Sequence, residues 1–204
     1  MGTFTAIPQD TFDGLEMNAG LLLKKLSLDA SKGISFVESD IICATTGDIK
    51  IVCEPTFTDL GSDINNCPSN MKELKILDSW KCEMTFTSVG TTGEHLRFAL
   101  GCADKSTFNT GDSYEVEPRA SLDQDKDFAD LWWVGDRADG GCVAVKISNA
   151  LSTAGLSLTT ARQSKGKLAI TLTAHFSIKD QTTVPMTFYS ASPKAVTGSS
   201  TSTS

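Results

Sequence analysis

KLAITLTAHFSI, residues 167–178, runs with a side-chain period of two. Leu168, Ile170, Leu172, Ala174, Phe176 and Ile178 fall on one side, and Lys167, Ala169, Thr171, Thr173, His175 and Ser177 on the other. Successive side chains of an extended chain point to opposite faces, so the segment is built to bury one face and present the second elsewhere. Residues 79–88 repeat the pattern: Trp80, Cys82, Met84 and Phe86 alternate with Lys81, Glu83, Thr85 and Thr87. Shorter extended runs are expected at 20–28, 33–43, 48–53, 131–134, 142–148, 155–160 and 184–189, with Asp139-Gly140-Gly141 as a tight turn between two of them. Many short strands separated by turn residues predict a mainly β chain, a β-sandwich or partial barrel.

One helix is expected to flank the sheets. Thr91 and Glu94 have the spacing of a capping box, and Leu96, Ala99, Leu100 and Ala103 then recur at helical intervals. Gly101 weakens a helix interior by about 1 kcal/mol relative to Ala, so this helix should be short. Residues 54–78, EPTFTDLGSDINNCPSNMKELKILD, show no sustained period and read as a long connection, with a short helix near 71–77 capped by Asn70. Phe57, Leu60 and Ile64 are poor residues for a solvated loop. Either they fold back on their own domain or they dock on another subunit. Residues 1–189 read as one domain, and the Ser/Thr-rich 190–204 as a flexible tail.

The 204 residues are 40% hydrophobic and 21% charged, enough for a real core. No run approaches the ~20 apolar residues of a membrane-spanning helix, and MGTFTAIPQD lacks the basic start and apolar centre of a secretion signal, so synthesis and folding in the cytoplasm are expected. Eighteen basic residues scattered among twenty-five acidic ones, net charge -7, disfavour tight binding to nucleic acid. The six cysteines form no CxxC pair and only two histidines are present; buried free thiols are expected rather than a zinc site.

Chemical motifs are equally sparse. Asp123, Asp125 and Asp127 open like a calcium loop, but Phe128 stands where the turn glycine belongs and Val134 where the closing glutamate belongs. ARQSKGKL, residues 161–168, lacks the leading glycine and final Ser/Thr of a phosphate loop. Neither His95 nor His175 has an evident catalytic partner. No enzyme activity and no cofactor are expected.

Several segments in order are similar to the major tail proteins of bacteriophages that infect Gram-positive bacteria. They are NAGLLLK (18–24), ATTGDIKIVCEPTFTDLGSDINNCP (44–68), MKELK (71–75), FADLWWVGDRADGG (128–141), KISNALSTAGLSL (146–158), KGKLAITLTAH (165–175) and VPMTFY (184–189). The likeness covers roughly residues 15–190 and rests on joint occurrence, since no single segment is a chemical signature. The resemblance implies a virion structural protein, made in the host bacterium, whose sandwich assembles with copies of itself. Six-membered rings would stack into a tail tube, with strands from each subunit completing an inner barrel. Implied partners are the tape-measure, tail-terminator and baseplate or distal tail proteins; DNA passes through without tight binding, and no membrane is involved. On this reading residues 54–78 reach the next ring, with Phe57, Asp59, Leu60, Asp63 and Ile64 as contact candidates. Glu83, Thr171, Thr173 and Ser177 are candidates to line the bore. Six copies would carry a formal charge of about -42 at -7 each, facing a duplex with about one negative charge per 1.7 Å. An acidic or neutral wall would let DNA slide.

Three rival readings are the inner tube of a contractile tail or phage-derived bacteriocin, a β-sandwich binding or adhesion module, and a hydrolase. The second would favour an export signal and an exposed aromatic patch, and aromatic residues are only 7%; for the third no nucleophile constellation can be named.

Overall fold

A computed structural model describes residues 11–29, 33–108, 113–160, 162 and 165–192. The elements in order are β1 (Leu21–Leu23), β2 (Ser27–Asp29), β3 (Gly33–Ser35), β4 (Lys50–Asp59), β5 (Lys75–Ser88), α1 (Gly93–Leu100), β6 (Ala103–Thr107), β7 (Tyr114–Pro118), β8 (Ala129–Asp136), β9 (Cys142–Ser152), β10 (Ser157–Thr159), β11 (Lys167–Thr173) and β12 (Met186–Ala191). One large antiparallel sheet runs β1-β8-β9-β11-β5-β4, with β10 also on β11 and β12 on β9.

The two strongly alternating segments pair with each other at the centre. Leu168 lies opposite Ser88, Ile170 opposite Phe86 and Leu172 opposite Met84, and all of these are buried. Phe86, Met84, Ile170 and Leu172 share one apolar cluster with Leu22, Leu131, Val145 and Ile147 from the other half of the sheet. The sheet therefore folds over on itself, and β9 makes the fold. Its first part pairs with β8 and β12, and its last residues, Leu151 and Ser152, pair with β11. The bend falls at Asn149, whose φ of 48° is a left-handed value that Asn tolerates; the Asn149 side-chain amide donates to the His175 carbonyl at 3.1 Å.

Residues 40–46 bridge β1 and the end of β5. The Ile42 amide donates to the Leu22 carbonyl at 2.9 Å, while the Thr46 amide donates to Thr87 and the Val89 amide to Ala44, at 2.9 and 3.1 Å. One stretch thus seals β1 on one side and the end of β5 on the other. Both edges are closed within the chain. The expected strand at 33–43 is short, Gly33–Ser35, because the chain then turns through a single 3-10 turn, Glu38–Asp40, to make this seam.

The helix lies where it was expected, with different ends. Thr92 is its N-cap without a side-chain hydrogen bond, and Glu94 turns instead to Lys105. Gly101, at φ 76°, terminates the helix, so Ala103 begins β6. Ala99 is fully buried, and its carbonyl accepts from the Ser152 hydroxyl at 2.8 Å.

The six thiols are free; Cys43, Cys82 and Cys142 are buried, and Cys53, Cys67 and Cys102 only partly so. Burial first, then its neighbour Cys53, pushes the Cys82 thiol up to about 12. The acidic stretch 123–127 winds around a guanidinium. Arg119 pairs with Asp127, whose side chain is fully buried, and with Asp104 at 3.3 Å; the second Asp127 oxygen accepts from the Asp123 amide at 2.8 Å. Residues 193–204, most of the expected tail, lie outside the described residues, and β12 extends two residues past the expected domain end at 189.

Candidate assembly surfaces

Residues 54–78 are only in part an irregular connection. β4 and β5 pair from Lys50↔Thr85 out to Asp59↔Lys75, so residues 54–59 and 75–78 belong to a long two-stranded arm, and residues 60–74 form its tip. The expected helix at 71–77 is only a 3-10 turn, Lys72–Leu74. Along the arm, the core-side row Ile51, Cys53 and Pro55 continues outward to Phe57. On β5 the matching row is Met84, Cys82 and Trp80, and a register shift between Thr56 and Phe57 then brings Leu77 opposite Phe57. Met84 and Cys82 are buried, whereas Phe57 is 50% and Leu77 46% exposed. The apolar row thus outruns the core beneath it. Phe57, Leu60 and Ile64 do not fold back onto the domain: all three are at least half exposed.

The tip is nevertheless organised. The two carboxylate oxygens of Asp59 accept from the Gly61 amide at 2.9 Å and the Asn70 amide at 2.7 Å, tying both sides of the turn together. The Lys75 ammonium lies 5.5 Å from the centre of the Phe57 ring. Of the contact candidates, Asp59 is therefore a brace, while Phe57, Leu60 and Ile64 are outward-facing; Asp63 is exposed beside them. The Asn70 amide, then that of Gly61, holds the Asp59 carboxyl below its ordinary 3.8. A lowered folded-state pKa gives stability that is present above the ordinary value and lost as pH falls through the lowered one. In an NMR titration, the Gly61 and Asn70 amide resonances are expected to move together with a midpoint below 3.8. A midpoint at or above that value would remove the brace.

A second surface is the outward face of β11 and β5. Thr173 lies opposite Glu83, Thr171 opposite Thr85 and Ala169 opposite Thr87. The Thr85 and Thr171 hydroxyls are 3.3 Å apart, and Thr153 and Thr173 are 2.7 Å apart. Glu83 also pairs with Lys81 at 3.0 Å. Three bore candidates, Glu83, Thr171 and Thr173, thus share one polar face. Ser177 does not: β11 stops at Thr173, and Ser177 sits in a separate turn bridged to Asp180.

Two longer strands have only one partner among the described residues, β4 on β5 and β12 on β9. Pro55 interrupts the amide row of β4, while β12, MTFYSA, contains no proline. A third feature is a cleft of about 1210 Å³ between α1, the β2–β3 region and β8, whose walls include Phe36, Val37, Phe98 and Trp132. His95, on the cleft wall, is tied through Nε2 to the Ile42 carbonyl at 2.9 Å, and His175 through Nδ1 to the Asn149 carbonyl at 3.2 Å.

No family model and no curated protein matches this chain. The paired arm and the cleft were missed by sequence reasoning. Alternation within EPTFTD was a usable signal for the arm; the cleft, made by elements far apart in sequence, left none.

Proposed function

We propose that this chain is a structural subunit of a bacteriophage tail tube, which works by self-association into stacked rings. The observation that carries the reading is the arm: an apolar row built on a rigid ladder and extended past its own core. Contiguous exposed apolar surface on a structured element favours a protein contact. A chain that presents such an element braced at its tip by Asp59 has the part a head-to-tail polymer needs, because a heterologous contact makes either a closed ring or an open filament. β12, which has one partner among the described residues, offers a second contact, by extension of the sheet into a neighbour. The threonine-rich face, with its paired hydroxyls and the Lys81–Glu83 ion pair, is the face we assign to the bore. The resemblance supplies the remaining terms, six subunits per ring and DNA in transit.

Negative-stain microscopy of the purified protein tests the reading. Tubes or six-membered rings are expected, and a monomer that persists on concentration would overturn it. A cysteine replacing Thr173 tests the bore. Thr173→Cys is expected to react with a bulky maleimide in free subunits and to be protected in intact capped tubes, whereas rapid labelling of those tubes from outside would place the threonine face elsewhere.

A further inference from the structure

We propose that the cleft between α1, the β2–β3 region and β8 is the receptor for the arm tip of a second copy of this chain; the inference rests on the self-assembly reading above. Three properties make the two surfaces complementary. Leu60, Ile64 and Phe57 are each at least half exposed at or near the tip, and the cleft is lined in part by the apolar side chains of Phe36, Val37, Phe98 and Trp132. Its volume of about 1210 Å³ exceeds the ~300–1,000 Å³ usual for small-molecule sites, and so accommodates several side chains of a protein segment.

The charges are complementary as well. Residues 54–78 carry five carboxylates against two lysines. The cleft wall carries four cations against three carboxylates, a local excess of positive charge in a chain of net charge -7. Asp130 and Lys146 pair with each other at 2.7 Å, and Glu94 is engaged by Lys105, which leaves Lys24, Lys25 and Arg97 against Asp40. Lys24 and Lys25, both exposed on the same wall, have no ion-pair partner within 4 Å among the described residues. Opposite potentials steer encounter and fix register, while the apolar contacts hold the complex. The arm and the cleft are different patches of one surface, so the contact is head-to-tail and propagates.

A photoreactive benzophenone amino acid replacing Leu60 in the full chain tests this. The substituted chain is assembled with an equal amount of isotope-labelled wild-type chain, irradiated and digested, and the cross-linked peptides are identified by mass spectrometry. Mixed light–heavy cross-links from position 60 to residues 24–27, 35–37 or 94–98 are expected. Cross-links between copies at another face would overturn the cleft assignment while leaving the tube reading intact. Cross-links confined to a single chain would overturn it too, as would a small apolar molecule found in the cleft by native mass spectrometry with no cross-link formed. Failure of the wild-type chain to assemble at all would instead remove the tube reading. As a second variant, the exposed pair Lys24→Glu and Lys25→Glu is expected to keep the wild-type melting temperature and to lose the cross-link. An unchanged cross-link yield would overturn the electrostatic part.

Discussion

On the proposed self-assembly, a chain carrying Phe57→Ala and Leu77→Ala is expected to need roughly 30-fold more protein to polymerise, while its monomer stays folded. Full burial of such a side chain is worth about 1.5–3 kcal/mol. In the free subunit Phe57 is 50% and Leu77 46% exposed, so about half of that value remains to be gained on docking. Two residues at about 1 kcal/mol each give about 2 kcal/mol per contact, and 1.4 kcal/mol is tenfold in affinity. The monomer loses only the half already buried, and its ladder from Lys50 to Asp59 is otherwise untouched. Light scattering against concentration measures the threshold, and circular dichroism checks the fold. An unchanged threshold would mean that the arm does not mediate assembly.

The second large effect lies away from the candidate assembly surfaces. Arg119→Met is expected to destabilise the subunit by about 3–5 kcal/mol, because it leaves a buried charge without its partner. The Asp127 side chain is fully buried, while that of Arg119 is 18% exposed. Without the guanidinium, Asp127 keeps a single backbone donor, the Asp123 amide. Asp104→Ala removes only a partner that is 64% exposed and should cost about 0–1 kcal/mol. Urea unfolding of both variants distinguishes the roles; equal losses would contradict the ranking. The same arrangement explains why the acidic run resembles the opening of a calcium loop: carboxylates gathered around one cation are spaced alike whether that cation is a metal or a guanidinium.

The centre of the fold was legible because its two central strands, β5 and β11, meet different surroundings on their two faces. Phe86 and Ile170 must be apolar, and Thr85 and Thr171 need not be. The distal arm gave a weak signal for the opposite reason. With no core under either face, Thr56, Phe57 and Thr58 have nothing to enforce a strong alternation. The pattern also overran its strand. Ala174, Phe176 and Ile178 continue the period of two beyond Thr173, yet Ile178 is 86% exposed, and the His175 carbonyl is taken by the Asn149 side chain. β6 and β7, ADKST and YEVEP, were not anticipated: within this separate hairpin only Ala103 is buried, so neither strand needs an apolar face. The polar face was partly recoverable. Register placed Glu83 beside Thr173, but nothing local indicated that Ser177 had left the strand. The seam at residues 40–46 was invisible because it is made by backbone groups, on which side-chain pattern has little purchase.

Pro55 has a consequence for the conditions under which such a chain is made. Copies synthesised at high concentration risk zipping together strand against strand into insoluble cross-β ribbons before any ordered contact forms. A ring nitrogen in the middle of β4 removes one rung from that ladder, so this flank is a poor template for indiscriminate growth. Side-chain complementarity, slower and more selective, is then left to choose the partner.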